Sequence, residues 1–304
     1  MVGIMADVAG MIRARLKLRV RRLRNRIEST LYGFGPGDLR RDLAGLGIGA
    51  GDVLFVHSSF GAFRGFTGTA VDVITLLQEL VGPGGTVLMP SQPTAGSSID
   101  YLESGSICDV RTTPTRMGLI AEFFRRTPGV SRSLHPTHPV TGWGRRAEEL
   151  LAGHETANTP CGTGSPYMKL IEAGGKIVHL GSGFQCTTFL HATEEFTLDR
   201  MPVSPWTEET YVGRVRDGEG RVLEVPTRLY RKDVAAVRQT ANLVPELGRG
   251  GHYRRRKLKR LELLVVDAKG LAETAVALAG RGIFHYDFGA LSPASQVSTV
   301  PPQE

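Results

Sequence analysis

Short apolar runs bounded by glycine, proline or polar turns alternate along this chain with segments whose apolar residues recur every three or four positions. That alternation restricts the fold to a layered α/β architecture. Asp52–Val56 follows a Gly-Ala-Gly turn and reads as a strand, as do Gly85–Met89, Lys176–Leu180 and Leu261–Val266. Thr69–Val81 reads as a helix, with Thr69 as N-cap, Asp72 at the third helical position and Gly82-Pro83 as the stop. Helical spacing also marks 115–126, 187–196 and 268–279, and Arg214–Val225 reads as a hairpin around Asp217-Gly218. The expectation is α/β: a mixed sheet with partly parallel strands flanked by helices, formed by one domain over residues 37–290. The polar, proline-containing residues 291–304 read as a disordered tail.

Charge is unevenly spread. Residues 1–36 carry +6 and residues 249–260 carry +7, against +7 for the whole chain, so the remainder is mildly acidic. An acidic body suits a cationic or amine substrate, and basic patches suit phosphates, anionic membranes or nucleic acid. In the N-terminal segment Ile12, Leu16, Val20, Leu23, Ile27 and Leu31 mark one apolar face of a basic helix. Its chemistry suits docking on the body or on a second subunit, the commoner case for such a helix, and also allows peripheral contact with an anionic membrane. No recognisable nucleic-acid reading motif accompanies the charge, so no nucleic acid is expected as a partner. No apolar run approaches the roughly 20 residues of a membrane-spanning helix, and no secretory h-region follows the basic start. Cys108, Cys161 and Cys186 are far apart and form no CxxC pair, which argues against a zinc site or a disulfide framework and for a cytoplasmic setting.

Residues 160–195 concentrate the chemistry. Gly162-Thr163-Gly164-Ser165-Pro166 is a glycine loop that caps a helix. Its free N–H groups suit a phosphate or an amide, and the same residues also describe an ordinary capped helix. His57-Ser58-Ser59 follows a strand, at the end where α/β sheets bind ligands. His135 and His138, set between prolines, form a poor metal pair and a better site wall. On the helix of 187–196, Glu194 and Glu195 stand three and four residues after His191. A carboxylate there orients the imidazole as a general base, although a surface His–Glu pair has the same spacing. A Cys186–His191 pair points in diverging directions on a helix, and a Ser58–His191 pair lacks a G-x-S-x-G elbow.

Six pieces, in order, resemble one family: 51–59 (GDVLFVHSS), 82–90 (GPGGTVLMP), 113–118 (TPTRMG), 132–138 (RSLHPTH), 162–166 (GTGSP) and 190–194 (LHATE). The chain resembles the aminoglycoside 3-N-acetyltransferases, acetyl-CoA-dependent enzymes unrelated in fold to the common GNAT acetyltransferases. The resemblance runs from about Asp38 to Asp287. It implies direct acetyl transfer from acetyl-CoA to an amine of an aminoglycoside or related amino sugar. His191 falls on the family's histidine and Glu194 on its glutamate. His57, Ser58, Ser59, Arg116, Ser133, His135, Gly164, Ser165 and Thr187 are implied at the cofactor. The Ser58–Ser59 backbone and Thr187 are expected oxyanion donors, and Arg116, Arg132 or the 249–260 run expected phosphate contacts. Two positions depart from the family's pattern: Pro139 replaces a common serine, and Gln185 a common aspartate. They leave the acceptor open, with a non-catalytic or membrane-associated carbohydrate-pathway protein on the same fold as the alternative.

Overall fold

The computed structural model describes residues 31–292. The expectations for a basic helix in residues 1–36 and for a tail after 291 fall almost wholly outside them. Among the described residues ten strands form two sheets. The strands are β1 (Val53–Ser58), β2 (Thr86–Pro90), β3 (Ile107–Asp109), β4 (Ser131–Arg132), β5 (Val140–Gly144), β6 (Lys176–Leu180), β7 (Trp206–Arg216), β8 (Val222–Tyr230), β9 (Tyr253–Leu258) and β10 (Leu261–Asp267). The large sheet has the order β4-β5-β2-β1-β6-β10-β9, and the small one β3-β7-β8. β1 runs parallel to β2 and β6, whereas β5 and β10 flank this trio antiparallel.

The three parallel strands are buried along nearly their whole length. Alternate side chains feed opposite faces: Leu54 and Val56 of β1 join one core cluster, Val53 and Phe55 the other. Helices Pro36–Gly45, Ala70–Val81 and Leu119–Arg125 contribute Leu39, Leu77 and Ile120 to the first face. Helices Pro166–Glu172 and Ala268–Ala279 contribute Leu170 and Leu271 to the second.

Local signals explain most boundaries. Thr69 and Asp72 form the expected reciprocal capping box. The helix expected from Thr115 begins only at Leu119, because residues 115–118 are held as a turn. The Thr115 hydroxyl and the Arg116 N–H both donate to the Gln92 carbonyl, and Gly118 has φ 102°. The 249–260 basic run contains the edge strand β9, a location that keeps its charges off the core. There Arg254 pairs with Asp267, Arg255 with Glu262 and Arg256 with Asp42. Among the described residues no helix is long and apolar enough to cross a membrane.

Burial outweighs capping in this fold. Leu77→Ala, at a position with no exposure, is expected to destabilise the protein by about 2–5 kcal/mol. Thr69→Ala is expected to cost about 1 kcal/mol through the lost cap. Urea unfolding of both variants measures the difference, and equal effects would contradict this account of the helix.

Candidate active site

A short helix, Leu190–Glu195, carries the two groups singled out by sequence. His191 Nδ1 lies 3.0 Å from Glu194 Oε1. Glu194 is fully buried, and the same oxygen receives the Tyr286 hydroxyl and lies 3.2 Å from His285 Nε2. Burial pushes the Glu194 carboxyl up, but the charge and hydrogen bond of His191 and the bond from His285 outweigh it and hold the group down at about 2. His285, itself buried, is lowered by loss of solvent despite the carboxylate beside it. Tyr230 packs against the His191 ring at 4.2 Å between centroids, and Trp206 at 6.1 Å.

The i+3 and i+4 carboxylates separate in role. Glu195 turns to the Thr159 hydroxyl at 2.5 Å, and burial raises its pKa. A Cβ on Gly162 would stand 2.6 Å from the Thr159 hydroxyl and 3.3 Å from Glu195 Oε1, so the glycine loop lies against this carboxylate. In that loop Ser165 caps helix Pro166–Glu172 by accepting from Met168 N, and Gly164 takes φ +87° beside Thr156 and Gly153. Neither Gly164 nor Ser165 lines the cleft described next.

That cleft, of about 490 Å³, opens at the C-terminal end of β1. His57, Ser58, Ser59 and Arg116 line it with Met117, Leu119, Ser182, Cys186 and Thr188. The His191 N–H donates to the Thr188 carbonyl at 3.1 Å, joining helix Leu190–Glu195 to the cleft wall. His57 stacks on His179 with centroids 4.9 Å apart, and burial together with the Arg238 charge holds it down at about 3, hence neutral. Gly61 also lines a neighbouring recess of about 590 Å³ with Ala62, Arg64, Lys257 and Arg260.

Other expected contacts are committed elsewhere. The Thr187 hydroxyl donates to the Phe184 carbonyl at 2.5 Å and bonds His179 Nε2 at 2.9 Å, and the Ser59 N–H donates to Leu180 O at 3.0 Å. Neither donor is available to an oxyanion. Arg132 spends its guanidinium on the carbonyls of Thr113 and Ser91. Ser133 Oγ bonds His154 Nδ1 at 2.8 Å and accepts from Val140 N, while His135 Nδ1 accepts from Thr137 N and His138 N. Ser133 and His135 therefore pin the loop that carries His138. His138 is held at about 3 by burial and then by the charge of His191. Among the described residues no group of three or more His, Cys, Asp or Glu side chains could hold a metal ion.

His285, Tyr286, Tyr230, Trp206 and Arg238 escaped sequence reasoning. No local pattern marks them; His285 and Tyr286 meet Glu194 from 91 and 92 residues away.

Residues 55–279 match the family model described as aminoglycoside 3-N-acetyltransferase. Among curated proteins, the SPbeta prophage-derived aminoglycoside N(3')-acetyltransferase-like protein of Bacillus subtilis (strain 168) is 32% identical over 184 residues, which is 55% of this chain and 67% of that protein. Aminoglycoside N(3)-acetyltransferase IV of Salmonella sp is 32% identical over 165 residues, 54% of this chain and 59% of the relative. The chain thus spans roughly three-fifths to two-thirds of the length of these relatives. Among solved structures, aminoglycoside acetyltransferase AAC(3)-Xa superposes with a TM-score of 0.71 at 25% identity, covering 84% of this chain and 94% of that one. AAC-IIIb, solved as a binary complex with CoASH, gives 0.70 at 25% identity, with 84% and 99% covered. With most of its length matching the family model, and the fold and the order of the motifs in agreement, the chain belongs to the aminoglycoside 3-N-acetyltransferase family.

Proposed function

We propose that this protein transfers an acetyl group from acetyl-CoA to an amine of an aminoglycoside or related amino sugar, with His191 as general base. The observation that carries the reading is the buried His191–Glu194 pair on a helix hydrogen-bonded to the wall of a strand-end cleft. The relatives' names and the CoASH complex of AAC-IIIb support the substrates.

Glu194 accepts from His191 Nδ1–H, which fixes the tautomer and leaves Nε2 as the proton acceptor. Only the unprotonated amine attacks a thioester. As its nitrogen bonds to the acetyl carbon, the amine proton passes to Nε2 and Glu194 stabilises the imidazolium. The carbon–sulfur bond then breaks, the electron pair leaves on sulfur, and the departing thiolate takes the proton from His191. The products are the amide and CoA thiol, with the base restored. The cleft combines apolar Met117 and Leu119 with polar Ser58, Ser182 and Thr188, which suits an amide-containing pantetheine arm. Arg116 and the recess lined by Arg64, Lys257 and Arg260 supply cations for the phosphates. In this reading Ser133, His135, Gly164, Ser165 and Thr187 shape the surrounding walls rather than touch the cofactor.

Coupled CoA-thiol release over a panel of aminoglycosides and amino sugars tests the reaction. His191→Ala is expected to lower kcat about 10²–10⁴-fold while acetyl-CoA still binds; wild-type turnover in this variant would remove His191 from the chemistry.

Glu194 has a depressed folded pKa, so its stabilising effect is complete above the unfolded value near 4.5 and is lost as pH falls toward about 2. The stability gap between wild type and Glu194→Gln should therefore narrow as pH drops below 4.5. Denaturant unfolding between pH 3 and 7 reads it, and a gap that widens toward acid contradicts the assignment.

Lys257→Ala combined with Arg260→Ala should weaken CoA about tenfold or more while leaving 3′-dephospho-CoA less affected. Calorimetric titration with both ligands decides it, and equal losses would take the 3′-phosphate out of the recess.

A further inference from the structure

The family match ends at Ala279, and the segment that follows supplies two of the three side chains that meet Glu194 Oε1 among the described residues. These are His285 and Tyr286, on a stretch strapped to residues 237–242. The Gln239 N–H donates to the His285 carbonyl at 2.8 Å, and the Asp287 N–H to the Val237 carbonyl at 2.8 Å. Asn242 Nδ2 donates to the Phe284 carbonyl at 2.9 Å. Phe284, Tyr286 and Leu291 pack with Met201, Val203 and Val234 in a third apolar cluster. That packing needs a ring at position 286 but no hydroxyl.

The hydroxyl is committed to the centre instead. It donates to Glu194 Oε1, because the ionised carboxylate brings no proton of its own. A hydroxyl has a single proton to give, so in the bond between Tyr230 and Tyr286 the Tyr230 hydroxyl is the donor. Burial keeps both phenols protonated. The ring of the same Tyr230 lies 4.2 Å from the His191 ring, between centroids. The Tyr286 oxygen therefore meets both the carboxylate behind the imidazole and the phenol that lies against it. Glu194 Oε2 is buried without a hydrogen-bond partner, so the orientation of the carboxyl group depends on what holds Oε1. The His191–Glu194 contact lies within a helix of six residues, and an i,i+3 pair alone is a weak restraint.

We propose that Tyr286 is a positioning residue for acyl transfer: its hydroxyl holds Glu194 Oε1 against His191 Nδ1 and ties Tyr230 to the imidazole, so that Nε2 keeps one direction toward the amine. The kinetic consequence rests on the acetyl-transfer reading; the restraint on the imidazole does not. Proton transfer between two heavy atoms is sensitive to small misalignments, so the loss of this restraint falls on turnover rather than on acetyl-CoA binding. Phenylalanine at position 286 keeps the ring and its place in the third cluster while removing the hydroxyl. That substitution separates positioning from packing.

The experiment compares wild type with Tyr286→Phe and Tyr230→Phe in the full chain. With an acceptor that wild type uses, Tyr286→Phe should lose about 10–10²-fold in kcat, while KM for acetyl-CoA stays within about threefold. Tyr230→Phe breaks the chain of hydroxyls one link further from the carboxylate and should lose less, about two- to tenfold. In a Glu194→Ala background, or Glu194→Gln if that variant does not fold, Tyr286→Phe should cost less than about twofold, because the hydroxyl acts through the carboxylate. Without any acceptor, exchange of the His191 Nδ1 ring proton with water, followed by NMR, should quicken about tenfold in Tyr286→Phe. A kcat within about twofold of wild type in that variant, losses that multiply in the double variant, or an unchanged exchange rate overturns the proposal. Should Tyr286→Phe not fold, Tyr230→Phe carries the same kinetic and exchange tests. Silence of wild type toward every acceptor would count against the acetyl-transfer reading, while the ring-proton exchange still judges Tyr286.

Discussion

A carboxylate inside a protein is tolerable only when donors and positive charge are brought to it, and Glu194 imposes that demand on distant parts of this chain. It has no exposure, yet the groups around it hold it ionised. His191 comes from its own helix, while His285 and Tyr286 come from a segment beyond the last long helix, Ala268–Ala279. Tyr230 closes over the imidazole from the small sheet. The three-stranded sheet and the C-terminal segment thereby both supply groups that pack on or bond to the His191–Glu194 pair.

The main sheet contributes direction. Because β1, β2 and β6 are parallel, their C-terminal ends gather at one edge, and the chain leaves β1 as His57-Ser58-Ser59 directly into the cleft. The walls behind are stiff for an ordinary reason: their polar groups are bonded to one another. Ser133, His135 and His154 interlock, and His179 bonds both Ser182 and Thr187. Burial keeps His57, His135 and His154 below their ordinary pKa, so these imidazoles are neutral scaffolding rather than competing bases.

What the sequence discloses follows the range of the interaction. The capping box at Thr69 and Asp72, the strand Lys176–Leu180 and the helix Ala268–Ala279 are written in local spacing, and they appear where that spacing puts them. The His191–Glu194 contact is also local, three residues on one helix. The i+4 spacing of Glu195 does not disclose its partner, because only the fold brings Thr159 within reach of it. The helical spacing over 115–126 misplaces the helix start, since the Thr115 hydroxyl donates to the Gln92 carbonyl, a partner 23 residues away. His285, Tyr286 and Arg238 carry no signal at all in one sequence, because their partners arrive through tertiary folding.

The order in which the centre's parts occur along the chain has a consequence during synthesis. His191 and Glu194 leave the ribosome about 90 residues before His285 and Tyr286 do. Until the later pair is delivered, the nascent chain holds a helix whose acidic face has nowhere dry to go. The full set of partners around Glu194 is therefore complete only once residues 285 and 286 have been made.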